Sequence, residues 1–171
     1  MNKYIVYFDS GTSNSRIYLL DQNFHIVYVA KKNIGSKDSS IAGNNKILIE
    51  GLYDLYCKLL EENNLQDQDI KHVYMSGMVT SPYGLKEVPH LELPLKIADF
   101  KKGVCCYFEE EFFDRDIYLV PGLKTVSDDF SMIGNMRGEE IELVGTVDKL
   151  KTKGITRAAT QIGRASCRER V

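Results

Sequence analysis

Apolar and polar residues alternate from the first positions of the chain. Lys3–Phe8 (KYIVYF) is a β-branched and aromatic run that stops at Asp9-Ser10-Gly11, which predicts a strand and then a turn. Arg16–Leu20 (RIYLL), closed by Asp21-Gln22-Asn23, predicts a second strand, and Phe24–Ala30 (FHIVYVA) a third. Their short connections make an antiparallel meander. Lys31–Asn44 is rich in Ser, Gly, Asn and Lys and predicts a loop. The period then changes. Ile47, Leu48, Leu52, Leu55, Leu59 and Leu60 recur at helical spacing after an Asn44 or Asn45 N-cap, and the helix ends near Glu62. Ile70–Met75 (IKHVYM) predicts a fourth strand leading into Ser76-Gly77, after which Pro82, Pro89 and Pro94 cut the chain into short extended pieces. Ile97–Phe113 is expected to be helical, and Ile117–Val120 is a fifth strand stopped by Pro121-Gly122. Arg137–Leu150 places Ile141, Val144 and Val147 or Leu150 on one face of a last helix. The order is β-β-β-α-β-α-β-α, which calls for an α/β fold with a mixed five-stranded sheet and crossover helices.

Composition narrows the class. A chain of 171 residues with 43% hydrophobic and 27% charged residues is a globular domain, or a domain and a fraction. Its net charge is -2 with no basic block, which argues against nucleic acid as a partner. No apolar run reaches the roughly 20 residues that cross a bilayer. The amino-terminal run meets Asp9 too early to be a signal peptide, so a cytoplasmic protein is expected. Cys57, Cys105, Cys106 and Cys167 form no CxxC pair and read as buried small apolar residues in a reducing compartment.

The last eleven residues, Gln161–Val171 (QIGRASCRERV), carry three arginines against one glutamate and show no period. The string equals, letter for letter, the translation of a common short-read sequencing adapter. It is therefore expected to be an artefact tail of charge +2, leaving -4 on the rest. The natural protein is expected to continue beyond about Thr160.

The turn between the first two strands reads Asp9-Ser10-Gly11-Thr12-Ser13-Asn14-Ser15-Arg16. Small residues let backbone N–H groups approach a polyanion, and hydroxyls of Thr12, Ser13 and Ser15 add donors. Arg16 supplies a planar fork for phosphate oxygens, and Asp9 can hold Mg²⁺ through water. A plain polar hairpin turn has the same composition. This hairpin resembles the first phosphate motif of the actin/hexokinase/heat-shock-chaperone superfamily, and the element order resembles one of that superfamily's ribonuclease-H-like domains.

Two later stretches are similar to 2-dehydro-3-deoxygalactonokinases. One is Met75-Ser76-Gly77-Met78-Val79-Thr80-Ser81 with Gly84, Lys86 and Glu87–Pro94. The other is Pro121-Gly122-Leu123, Asp128-Asp129, Met136-Arg137-Gly138-Glu139-Glu140, Leu143 and Gly145. The M-R-G-E-E string is the most specific piece; Ser10 departs from the family's usual aromatic. The resemblance implies ATP- and Mg²⁺-dependent phosphorylation of 2-dehydro-3-deoxy-D-galactonate at its terminal hydroxyl, in galactonate catabolism. It implies phosphate binding by Asp9, Gly11, Thr12, Ser13, Asn14 and Arg16, with Asp9 also on the metal. By analogy with related sugar kinases the catalytic carboxylate is Glu139, or else Asp129. Acids in a helix's first turn also favour its dipole without any catalytic role. Arg137 is expected to grip the substrate carboxylate, with Ser81 and Lys86 near the sugar acid. His25, His72 and His90 receive no role, and Tyr53 and Tyr56 read as packing residues.

The expected division is residues 1–150 as an amino-terminal phosphate-binding domain, 151–160 as the start of a connection to a second domain, and 161–171 as the tail. Catalysis needs both reactants held in line, so the fragment is expected to be inactive alone. The alternatives are a non-catalytic actin-like nucleotide-binding module and a kinase of the same superfamily for another sugar, and homo-oligomer formation is left open.

Overall fold

The computed structural model describes residues 3–126, 134–141 and 144–145. Strands β1 (Tyr4–Ser10), β2 (Ser15–Leu20) and β3 (Ile26–Lys32) form the expected meander. Helix α1 (Ser36–Ala42) and helix α2 (Lys46–Glu62) follow, then β4 (Ile70–Gly77). The remaining elements are β5 (Leu91–Leu93), α3 (Ile97–Lys102), β6 (Cys105–Glu109), β7 (Arg115–Leu119), β8 (Leu123–Thr125) and β9 (Asn135–Met136). A further helix opens at residue 139.

The main sheet runs β3-β2-β1-β4-β7-β6, with β4 parallel to both β1 and β7 and the other pairs antiparallel. It is a mixed α/β arrangement of six strands rather than five. The sixth is β6, which lies within the stretch expected to be helical as far as Phe113. Helix α3 stops at Gly103, whose N–H is taken up by the carbonyls of Asp99 and Phe100. From Cys105 the burial alternates residue by residue, as it does in a strand. A small second sheet, β5-β8-β9, also replaces expected loop.

Helix α2 lays Leu48, Leu52, Leu55 and Leu59 on the sheet against Val6, Phe8, Ile17, Leu19, Val73, Met75, Ile117 and Leu119, which form the core. Ile47, expected on this face, is exposed. Tyr53 and Tyr56 pack their rings on Phe113, in line with the packing role expected of them. Arg115 of β7 joins three elements by donating to Tyr56 Oη, Asp67 Oδ1 and the Ile70 carbonyl.

Helix α1 occupies what the sequence suggested was loop. Its inward positions are Ser36 and Ser39 rather than apolar residues, so no hydrophobic stripe announced it. Cys57 and Cys106 are exposed free thiols, which corrects the expectation that they are buried; the free thiol of Cys105 is half-buried and packs against the core, and Cys167 lies outside the described residues. No helix among the described residues is long and apolar enough to cross a membrane.

Candidate active site

The parallel strands β1, β4 and β7 end at the same edge of the sheet, the place where open α/β sheets bind ligands. Three separate stretches of sequence meet there.

The first is the hairpin. Ser10 pairs with Ser15 and Asp9 with Arg16, leaving Gly11–Asn14 as the turn. The turn's carbonyls face inward: Gly11 O accepts from Ser36 N at 3.3 Å and Thr12 O from Lys37 N at 2.9 Å. This close approach depends on Gly35, where a Cβ would stand 2.4 Å from Thr12 O. With carbonyls turned to α1, the amides of Thr12, Ser13 and Asn14 make no hydrogen bond among the described residues, and all three residues are exposed. Open amides gathered on one turn form a cradle with the chemistry to take an anion. Ser15 is a correction: it is buried and its hydroxyl donates to Ile34 O at 2.8 Å, so it gives nothing to a ligand.

Asp9 stands beside the cradle with a third of its side chain exposed, and Arg16 Nη1 approaches its Oδ2 at 3.4 Å. No cluster of three or more metal-ligating side chains exists among the described residues. A single accessible carboxylate beside free amides does suit Mg²⁺, which takes one or two carboxylates and completes its shell with water and phosphate.

The second stretch is the end of β4. Gly77, at φ +86°, packs so closely on β1 that a Cβ would lie 2.4 Å from Ser10 O. The third is the M-R-G-E-E segment. A Cβ on Gly138 would lie 3.5 Å from Gly77 Cα and 3.7 Å from Asp9 Oδ1. Asp9, Gly77 and Gly138 therefore converge on one point.

The two glutamates after Gly138 differ. Glu139 is half-buried, while Glu140 is fully buried. Glu140 Oε2 accepts from Gly138 N at 2.5 Å and its Oε1 has no partner among the described residues. Burial is the main cause that pushes its carboxyl up from 4.5 to about 7. Nearby Tyr7 donates to or accepts from Ser76 Oγ at 2.6 Å, and burial raises its phenol, helped by Asp9 and Glu140.

Arg137 Nη1 donates to Thr80 Oγ1 at 2.7 Å, and Thr80 in turn donates to Gly77 O at 2.9 Å. Arg137 Nη2 lies 3.2 Å from His90 Nδ1. Ser81 is buried, and its hydroxyl donates to Met78 O at 2.7 Å. Lys86 stands elsewhere, its Nζ 5.0 Å from the ring centre of Tyr107 on the edge strand β6. Asp128 and Asp129 lie outside the described residues.

With this geometry in place, the model of the 2-keto-3-deoxy-galactonokinase family matches residues 9–162, which takes in all three converging stretches. The chain belongs to that family. Its fold also matches the crystal structure of a Sinorhizobium meliloti protein described provisionally as a 2-dehydro-3-deoxygalactonokinase, at a TM-score of 0.65 and 23% identity. The match covers 86% of this chain and 44% of that one, so the chain spans less than half the length of this relative. No curated protein sequence matches the chain significantly.

As a 2-keto-3-deoxy-galactonokinase family member, the chain comes from a family of sugar-acid kinases. Three residues of its site were missed in the sequence: Thr80, His90 and the buried member of the glutamate pair, Glu140. All three lie in stretches that carry the family resemblance, Thr80 in Met75–Ser81, His90 in Glu87–Pro94 and Glu140 in M-R-G-E-E, but none was given a role there. Thr80 and His90 are drawn in by Arg137 from 57 and 47 residues away.

Proposed function

We propose that the parent protein transfers the terminal phosphoryl group of ATP to the terminal hydroxyl of 2-dehydro-3-deoxy-D-galactonate, in the cytoplasm, with this chain as its amino-terminal, ribonuclease-H-like half. Residues 1–150 are the phosphate-binding domain, 151–160 begin the connection to a second domain, and 161–171 are the adapter-derived tail. The observation that carries this reading is the convergence of Asp9, Gly77 and Gly138 beside three open turn amides.

The amides of Thr12, Ser13 and Asn14, with Gly11 at the turn and the Arg16 guanidinium, hold the phosphate oxygens. Asp9 would hold Mg²⁺ through water, and the ion would neutralise charge developing on the phosphates. Glu139, half-buried at the head of its helix, takes the proton of the acceptor hydroxyl as that oxygen attacks. Glu140 is less suited to meet substrate, because it is wholly buried and bonded to Gly138. Arg137 meets the acid end of the sugar. The site needs no contribution from Ser81 or Lys86.

The test is replacement of Asp9 by Asn and Thr12 by Ala in the full-length protein, with MgATP affinity read by calorimetry beside turnover. Each variant is expected to bind MgATP about tenfold more weakly, a loss of about 1.4 kcal/mol, while the 171-residue chain alone shows no turnover. Unchanged MgATP affinity in both variants would remove the basis for the assignment.

A further inference from the structure

Arg137 is half-buried, yet none of the ion pairs among the described residues includes it. Glu140 and Glu87 act on it only through space. A guanidinium removed from water without a bonded carboxylate is a receptor awaiting an anion. Its hydrogen-bond partners are neutral. Thr80 Oγ1 and His90 Nδ1 accept from its two Nη groups, and Lys124, itself paired with Glu92 at 3.1 Å, acts on His90.

The contact with Arg137 fixes the chemistry of His90. Arginine has only donors, so His90 Nδ1 must accept and the ring proton must sit on Nε2. Burial, Arg137 and Lys124 all act against a second proton. His90 Nε2 has no hydrogen-bond partner among the described residues, so it is a spare donor held beside a spare cation. Gly122 makes the pairing possible. A Cβ there would stand 2.7 Å from His90 Cδ2 and 2.8 Å from Arg137 Cγ, so the turn after β7 is shaped around both side chains.

We infer that His90 is a specificity-determining residue of the acceptor site, donating from Nε2 to an oxygen at the carboxylate end of the sugar acid while Arg137 supplies the charge. This rests on the kinase reading above. A neutral imidazole and a guanidinium side by side match an α-keto acid, whose carboxylate takes the charge and whose adjacent keto oxygen takes the neutral donor. An acid without an oxygen there would leave the imidazole unsatisfied.

Two measurements test it. In the ¹⁵N-histidine-labelled 171-residue chain, His90 is expected as the Nε2–H tautomer, titrating below the ordinary histidine value, and replacing Arg137 by Met should raise its titration. An Nδ1–H tautomer with Arg137 intact would overturn the inference. In the full-length protein, His90→Phe is expected to raise KM for 2-dehydro-3-deoxy-D-galactonate about ten- to a hundredfold, with KM for ATP unchanged. His90→Gln, which can both accept from Arg137 and donate, should restore it to within about threefold of wild type. An unchanged acid KM in His90→Phe, or equal rises in both KM values, would refute the role. If the wild-type protein phosphorylates no sugar acid, the kinase reading falls. The effect of saturating 2-dehydro-3-deoxy-D-galactonate on the His90 Nε2–H resonance then decides this inference alone: a changed resonance upholds it and an unchanged one overturns it.

Discussion

Alanine at Gly77 is expected to cost the fold about 3–5 kcal/mol, enough to leave much of the chain unfolded at room temperature. Two independent penalties add. The backbone there has φ +86° and ψ -146°, a region that residues with a Cβ hardly occupy. The new methyl would also lie 2.4 Å from Ser10 O, and Ser10 cannot retreat because its strand pairs with β2 on one side and β4 on the other. Gly43 is the control. It has φ +70° at the end of α1 but nothing within 4 Å of a Cβ, so Gly43→Ala should cost only about 1 kcal/mol. Urea unfolding of both variants measures the difference. A Gly77→Ala loss no larger than that of Gly43→Ala would show that β1 and β4 leave room for a methyl between them.

The second large effect depends on pH. Glu140 is fully buried, and burial above all holds its carboxyl near 7 instead of 4.5. Glu139 adds to the rise, while the Gly138 and Glu140 amides and Arg137 act against it. The folded state thus holds this proton more tightly than the unfolded chain does. Its contribution is complete below about 4.5 and is lost as pH climbs through about 7. Above that range the buried carboxylate costs the fold up to about 3 kcal/mol, since a tenfold difference in proton affinity between folded and unfolded chain is worth about 1.4 kcal/mol. Gln at this position keeps an oxygen for the Gly138 amide and carries no charge. Glu140→Gln is therefore expected to stabilise the chain by about 1–3 kcal/mol at about pH 8.5 and to change little near pH 4. Chemical denaturation at the two pH values reads this directly. A Gln variant less stable than wild type at the higher pH would mean that the ionised carboxylate is paired, and the account of Glu140 would be wrong.

Where burial is periodic, the sequence was readable. The leucines of α2 recur on one face, and the strands of the meander end at Asp, Gly and Asn turns, so these elements fall close to where they were expected. Helix α1 had no such stripe. Its one large apolar residue, Ile41, is 76% exposed, and the helix is held by hydrogen bonds to the hairpin instead. Strand β6 was hidden because an apolar run beginning at Ile97 merges with it, and the Gly103 break was the only cue. In the site, the hairpin and Gly138 were legible because their chemistry is local. Which of two adjacent glutamates turns inward is a matter of tertiary packing, and no spacing rule carries that. His90 gains its meaning from an arginine on another loop, so it looked like any loop histidine.

The bond pattern under the hairpin ties two fates together. The first N–H groups of α1 have no partner within their own helix and find one in the carbonyls of Gly11 and Thr12. The turn is thus the cap of the helix, and the helix is the floor of the turn. Neither can fray without exposing the unmet polar groups of the other, so amide exchange should report them opening as one cooperative unit. The loop proposed to grip phosphate is in that sense already assembled before any nucleotide arrives, and little ordering remains to oppose binding.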